Sequence, residues 1–382
     1  MQKRYQYYTL TLETLGPVHI GNGSSLTKLD YIYSSESKTV YILESMKLFR
    51  GLQQYGLLQI FEKGLSRNMS MTDFVTKNSV PEKAYSKWAA SSYSVKGIDL
   101  KRGQWEIQSF MKDAYGMPYI PGSSLKGALR TAIETAIILQ KQKEMSGITE
   151  KVSAEINQAH QDFKDRKRVN MKRLLNRENQ TITTNVFHTL SRKEKKPDDM
   201  LNDRMAGLMF SDSRPIALDQ LTLCQKLDVF LQDERTLPIL RESLKPGTKL
   251  TFDVTIDSNL FGFSIRDILD AGADAFRLYD ERFRQAFIDA LPAEINPEQE
   301  MYLYLGGGTG FWHKTVLNAL YEKMDDGAIQ TAKLLDMQFP KAKHVSFAER
   351  EQISPKTIKA AEYQGSLYEM GLCVLRFEER KL

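Results

Sequence analysis

Four glycines in five positions, within Gly306-Gly307-Gly308-Thr309-Gly310-Phe311-Trp312-His313-Lys314, constrain this chain more than any other stretch. An apolar, strand-like segment at 301–305 precedes them and a helix-like one at 315–321 follows. Without Cβ atoms the backbone can turn left-handed, and its bare N–H groups can close on an anionic backbone. Phe311 and Trp312 offer ring faces for bases, Thr309 sits inside the turn, and Lys314 supplies charge. This grouping suits a nucleic-acid strand better than a small metabolite; the plain alternative is a mobile glycine turn between strand and helix. Two better-known glycine motifs do not apply. A P-loop needs glycine before Lys-Ser/Thr, whereas His313 precedes Lys314-Thr315. In a dinucleotide fingerprint the third glycine would fall on Phe311 or His313.

A second motif is Tyr119-Ile120-Pro121-Gly122-Ser123-Ser124-Leu125-Lys126-Gly127-Ala128-Leu129-Arg130. Pro121-Gly122 ends an extended piece, and Ser123 or Ser124 is expected to cap a helix running to about residue 140, with Leu125, Leu129, Ala132, Ala136 and Leu139 inward. Lys126 and Arg130 share one face of its first two turns. Free N–H groups, two hydroxyls and two cations there make a ready phosphate site, or simply a capped helix with a solvated basic face.

Around these motifs the pattern is mixed. Residues 5–15 read as a strand with Tyr8, Leu10 and Leu12 on one face, broken by Gly16-Pro17 before a second glycine-bearing loop, Val18-His19-Ile20-Gly21-Asn22-Gly23. Ser45 is expected to cap the first helix of an amphipathic insertion over about 45–100. The polar stretch 141–203 reads as a long helix and then an exposed hairpin or arm around 181–190; its basic cluster Lys164, Arg166, Lys167, Arg168, Lys172 and Arg173 interleaves with Phe163, Phe187 and His188. Strand signals return at 207–210, 218–223, 237–240 and 249–256, then a helix over 264–291 and a closing strand at 372–377. The expectation is an α+β fold of ferredoxin-like type, with two such units: 1–145 carrying the insertion, a charged connection over 146–203, and 204–382 carrying the glycine loop.

The chain has 382 residues, 41% of them hydrophobic, and a net charge of +5, so affinity for an acidic partner must come from local patches. Its two cysteines, Cys224 and Cys373, form no CxxC and argue against a disulfide framework or a zinc site. With no signal-peptide core and no apolar run near the ~20 residues of a membrane span, a cytosolic protein without membrane contact is expected.

In these motifs the chain resembles the RAMP superfamily of CRISPR effector subunits, most closely the subunit that caps the backbone filament of the type III-A (Csm) complex at the 3′ end of the guide. Matching residues are Leu15-Gly16-Pro17-Val18-His19-Ile20-Gly21-Asn22-Gly23, the 119–130 motif, Leu208-Met209-Phe210-Ser211-Asp212-Ser213 and Tyr304-Leu305-Gly306-Gly307-Gly308-Thr309-Gly310-Phe311. The resemblance implies RRM-like folds and sequence-independent binding of guide RNA (crRNA). It implies that Ser123, Ser124, Lys126 and Arg130 hold phosphates, that Gly306, Gly307, Gly308, Thr309 and Gly310 approach the RNA, that Phe311 or Trp312 packs a base or the loop, and that the segment near 185–190 is a thumb-like hairpin laid across the guide–target duplex; the charge of Lys314 beside that loop is read from the residues themselves as RNA-binding. Implied partners are crRNA, its duplex with target RNA, backbone subunits of the Csm complex and accessory host nucleases.

Catalysis finds little support in the sequence. Ser123-Ser124-Leu125-Lys126 matches SxxK, but the companion motifs of acyl-transfer enzymes are missing. His19 is the better candidate, since some RAMP relatives cut precursor guide RNA with an N-terminal histidine as general acid or base. No second base accompanies it, and a histidine that bonds its loop or contacts RNA is favoured. Asp212 reads as a turn or cap residue. The expectation is a subunit without catalytic residues, metal or cofactor, contributing to crRNA maturation and assembly; the alternative is an endoribonuclease with His19 as acid or base.

Overall fold

Tyr8, Leu10 and Leu12 alternate with Thr9, Thr11 and Glu13 along β1 (Tyr5–Thr14), and all three are buried, as a period of two requires. Buried on that face, β1 is a central strand. In the computed structural model, which describes residues 4–65, 69–98, 105–291, 295 and 300–380, it lies between β10 (Lys249–Asp257) and β14 (Leu372–Glu379), with Leu10 opposite Phe252 and Phe377. β7 (Leu208–Phe210) and β11 (Met301–Tyr304) complete a five-stranded antiparallel sheet in the order β11-β14-β1-β10-β7. Helices α5 (Gly122–Gln140) and α9 (Ile265–Arg282) pack on one another and against it. Chain order β1, α5, β7, β10, α9, β14 with spatial order β14-β1-β10-β7 is the β-α-β-β-α-β arrangement of a ferredoxin-like unit.

A second, six-stranded sheet runs β13-β12-β8-β9-β6-β2. Its strands are β2 (Gly21–Leu26), β6 (Glu106–Phe110), β8 (Leu221–Val229), β9 (Glu234–Leu244), β12 (Ile358–Tyr363) and β13 (Ser366–Glu369). Both large sheets therefore draw strands from either side of the expected divisions near 145 and 203. The segment from β3 (Tyr31–Ser34) to β5 (Ala89–Ser94) makes a small module: a sheet of β3, β4 (Thr39–Leu43) and β5 is covered by α1 (Ser45–Gln54), α2 (Leu58–Leu65), α3 (Met71–Lys77) and α4 (Glu82–Trp88) around Leu52, Phe74 and Trp88. The insertion is thus helical only to Trp88, and its returning strand docks on the main body, where Tyr93 donates to the Glu242 carboxylate at 2.7 Å. The remaining helices are α6 (Ser146–Lys164), α7 (Met171–Phe187), α8 (Ser258–Phe261), α10 (Met324–Gln338) and α11 (His344–Glu351). No described helix is long and apolar enough to cross a membrane.

Several local expectations are corrected. The hairpin or arm expected around 181–190 is the end of α7: Leu174, Ile182 and Val186 repeat at helical spacing, and with Phe187 they are buried in the main core. The helix expected at 315–321, directly after the glycine loop, is absent. Val316, Leu317, Ala319, Leu320 and Tyr321 are all buried, leaving no solvent face for a regular helix, and the chain makes short 3-10 turns at Trp312–Lys314 and Leu317–Ala319. The helix expected over 264–291 breaks at Phe283. Glu44, not Ser45, caps α1, its carboxylate accepting from the Met46 N–H.

Candidate nucleic-acid interface

The glycine loop sits against the loop that carries His19. Gly306, Gly308 and Gly310 hold φ of 89°, 90° and 92°, in the left-handed region that excludes most side chains. At Gly306 the close approach is decisive: a Cβ would lie 2.2 Å from the His19 carbonyl oxygen. That carbonyl accepts from the Gly307 N–H at 2.7 Å, joining the two loops. The His19 ring, 4% exposed, has Nδ1 2.6 Å from the Glu242 carbonyl oxygen, so Nδ1 is the donor there and Nε2 carries the lone pair. Burial lowers its pKa, with the Arg241 charge adding to the effect. The Glu242 carboxylate is occupied by Tyr93, the Phe110 N–H and Lys112 at 2.7–2.9 Å, so it does not serve His19 as a base partner.

Beside the loop, four cations converge from three strands and the loop itself. On β9, Arg241 donates from Nε to Gln108 at 2.8 Å, while its buried Nη1 has no protein partner and lies 2.9 Å from where a Cβ on Gly308 would stand. Lys359 of β12 bonds Asp228 at 2.7 Å, and its stem packs against Gly310. Lys226 of β8 and Lys314 have no carboxylate partner among the described residues. Burial lowers the Lys226 pKa, and Lys359, Arg241 and Lys314 lower it further; the pKa of Lys314, exposed as a residue, is lowered by partial desolvation among its neighbours and by Arg241. Four cations against the single carboxylate of Asp228 form an anion-seeking field.

Arg241, Lys226 and Lys359 escaped the sequence reading. Lys226 and Asp228 alternate on a strand, but that pattern alone does not say that Arg241 pairs with Cys224, or Lys359 with Asp228. Only strand pairing brings them together.

The rings near the loop mostly face inward. Trp312, expected to offer a face to a base, is 9% exposed and stacks on Phe283 at 5.2 Å. Its wall of Phe276, Tyr279, Phe283 and Tyr304 draws it into an aromatic core. His313 stacks on Tyr304 at 3.7 Å, and burial together with Lys314 pushes its pKa down to about 3. Phe311 is partly buried, Thr309 is buried and Lys314 is exposed.

The start of α5 is organised differently from expectation. Neither Ser123 nor Ser124 caps it: the helix begins at Gly122, whose N–H donates to the Asp212 carboxylate at 2.8 Å. A Cβ at Gly122 would meet the Ser211 carbonyl oxygen at 2.4 Å, which accounts for the glycine. Asp212 is thus a cap, as its position suggested. Ser123 is exposed; Ser124 and Lys126 are half-buried, and burial lowers the Lys126 pKa. Arg130 is already committed, donating to Asp203 at 2.7 Å and lying over the Phe187 ring at 4.4 Å. Further along α5, Ala128 and Thr131 share with His313 and Thr315 the lining of a cavity of about 60 Å³.

A ferredoxin-like sheet joined to a glycine loop that docks on an N-terminal histidine loop defines a class. The sequence profile of the RAMP superfamily matches residues 11–311, and the chain belongs to that superfamily. Its curated relatives narrow this further. It is 30% identical over 345 residues, 86% of this chain and 84% of the relative, to the "CRISPR system Cms protein Csm5" of Streptococcus thermophilus. It is 25% identical over 397 residues, 96% of each chain, to the Csm5 of Mycobacterium tuberculosis strain CDC 1551 / Oshkosh. Its fold is similar, with a TM-score of 0.58 and 19% identity over 97% of this chain and all of the other, to a chain in the cryo-EM structure of a Csm-crRNA-target RNA ternary complex of a type III-A CRISPR-Cas system.

Proposed function

We propose that this chain is a non-catalytic RNA-binding subunit of a type III-A CRISPR ribonucleoprotein, seating the 3′ part of the guide and ending the backbone filament. The observation that carries the reading is Arg241: a buried guanidinium edge left without a protein partner, beside a left-handed glycine and among Lys226, Lys314 and Lys359. A buried donor without a partner costs on the order of 1–3 kcal/mol, which a phosphate oxygen at Gly308 would offset. The backbone N–H groups of the loop and these cations hold phosphates without reading bases, so binding is independent of sequence. The start of α5, already capped by a carboxylate, is a poorer seat for a phosphate and is left out of the contact set. His19 is read as orienting the two loops: its ring is buried with Nδ1 donating to the Glu242 carbonyl, its own carbonyl accepts from the Gly307 N–H, and the Glu242 carboxylate is committed elsewhere.

The test is a salt titration of single-stranded guide RNA on the purified chain and on its assembled complex. Lys226→Ala and Lys314→Ala should each flatten the log–log slope by about 0.7 and weaken every sequence alike. Unchanged affinity and slope in the double variant would sink the assignment. Discrete cleavage of repeat RNA that vanishes in His19→Ala would overturn the non-catalytic part.

A further inference from the structure

Glu242 of β9 is fully buried, and its main chain and side chain hold different parts of the molecule. Its carbonyl accepts from the His19 ring. Its carboxylate accepts from the Tyr93 hydroxyl at 2.7 Å, the Phe110 N–H at 2.9 Å and the Lys112 ammonium at 2.8 Å to each oxygen. Tyr93 belongs to β5 of the insertion, and Phe110 ends β6. The parallel pairing of β6 with β9 covers only Glu106–Gln108 against Ile239–Arg241. Past it the Phe110 N–H takes the Glu242 carboxylate, so that side chain extends the hold of β9 on β6. The same end of β6 carries the His19 loop, with Phe110 opposite Gly21 and the Met111 N–H donating to the Ile20 carbonyl. Two residues before Phe110, Gln108 accepts from Arg241 Nε at 2.8 Å. Successive side chains on a strand face opposite ways, so the Arg241 guanidinium and the Glu242 carboxylate stand on the two faces of one strand.

We propose that Glu242 is a positioning residue of the guide-RNA site, and that the insertion sets RNA affinity through the Tyr93 hydroxyl on its carboxylate. The inference rests on the glycine-loop reading. Being buried, Glu242 acts through its neighbours: Gln108 aims Arg241, and the His19 ring fixes the loop whose carbonyl takes the Gly307 N–H. Its four hydrogen bonds use the roughly four acceptor sites of a carboxylate, which pins it in place. Burial and the Glu242 charge both raise the Tyr93 pKa, so the hydroxyl stays a donor. Losing that bond leaves a buried carboxylate one donor short, which buried groups relieve by shifting. The shift carries Phe110 and Gln108 with it, and Arg241 loses the partner that keeps its unpaired Nη1 beside Gly308. A purely architectural Glu242 would instead set stability and leave the RNA affinity of the folded protein alone.

Titrating single-stranded guide RNA on the full chain across salt, beside thermal melts, tests this with Y93F, E242Q, R241A and Y93F/R241A. Y93F removes one hydroxyl and keeps the ring, so it serves even where E242Q does not fold. It should weaken RNA binding roughly threefold or more and flatten the log–log slope by up to about 0.7, the share of one phosphate contact. On the R241A background Y93F should cost little further affinity, because both changes act on the same contact. Folded E242Q should lose at least as much as Y93F. A lower melting temperature with wild-type affinity and slope in Y93F overturns the proposal, as do losses that simply add in the double variant. R241A binding RNA as the wild type does would overturn the glycine-loop reading and this inference with it. A weakened R241A beside an unchanged Y93F overturns this inference alone.

Discussion

Glu134 lies in the middle of α5, 7% exposed, with its carboxyl accepting from the Thr183 hydroxyl at 2.8 Å. Burial pushes its pKa up from 4.5 to about 6. A raised pKa means that the fold favours the neutral acid. That stabilisation is complete below pH 4.5 and is lost as pH rises through about 6, beyond which a charged carboxylate stays buried. Glu134→Gln should therefore gain about 2 kcal/mol at pH 8 and little at pH 4, read from urea denaturation. No gain at pH 8 would show that the pKa is not raised. Asp212 could be read from sequence because a strand-end aspartate has few roles; the ring of His19, expected to bond its own loop or RNA, bonds the Glu242 carbonyl of β9. Arg130 could not: its helical spacing from Lys126 says nothing of Asp203, which folding brings to within 2.7 Å.

The glycine loop was legible as an element, since four glycines in five positions allow the left-handed turns that other residues resist and end a strand or helix there. Its neighbours were not. Gly306→Ala places a methyl group against the His19 carbonyl and forces a left-handed backbone costing roughly 1–2 kcal/mol for an L-residue. The expected result is a lower melting temperature, loss of hydrogen-exchange protection at the Gly307 N–H, and weaker single-strand RNA binding. Wild-type protection with wild-type binding would mean that the loop is not docked on His19. α7 was misread because its polar residues hide a stripe of Leu174, Ile182 and Val186, and composition outweighed period. Trp312 was misread because an aromatic residue in a glycine loop looks available. Phe283, four residues past Tyr279 on α9 and the short turn beyond it, takes its face.

Across the whole molecule, β14 joins both ends of the chain: it pairs with β1 on one side and with β11 on the other. Deleting residues 372–380 should abolish cooperative unfolding of the entire body rather than trim it, because Leu372, Cys373, Val374 and Leu375 are buried and the sheet would split. A truncated chain with an intact thermal transition would contradict this. Sequence alone determined the alternation of β1, the apolar stripe of α5, the glycine turn and a mixed α+β class, because each is written in spacing over a few residues. Tertiary structure alone decided that Lys226, Arg241, Lys314 and Lys359 stand together and that Trp312 and Arg130 are spent on packing. Such outcomes depend on which strands pair and which faces meet. They are settled by burying the whole chain at once, and local spacing does not record them.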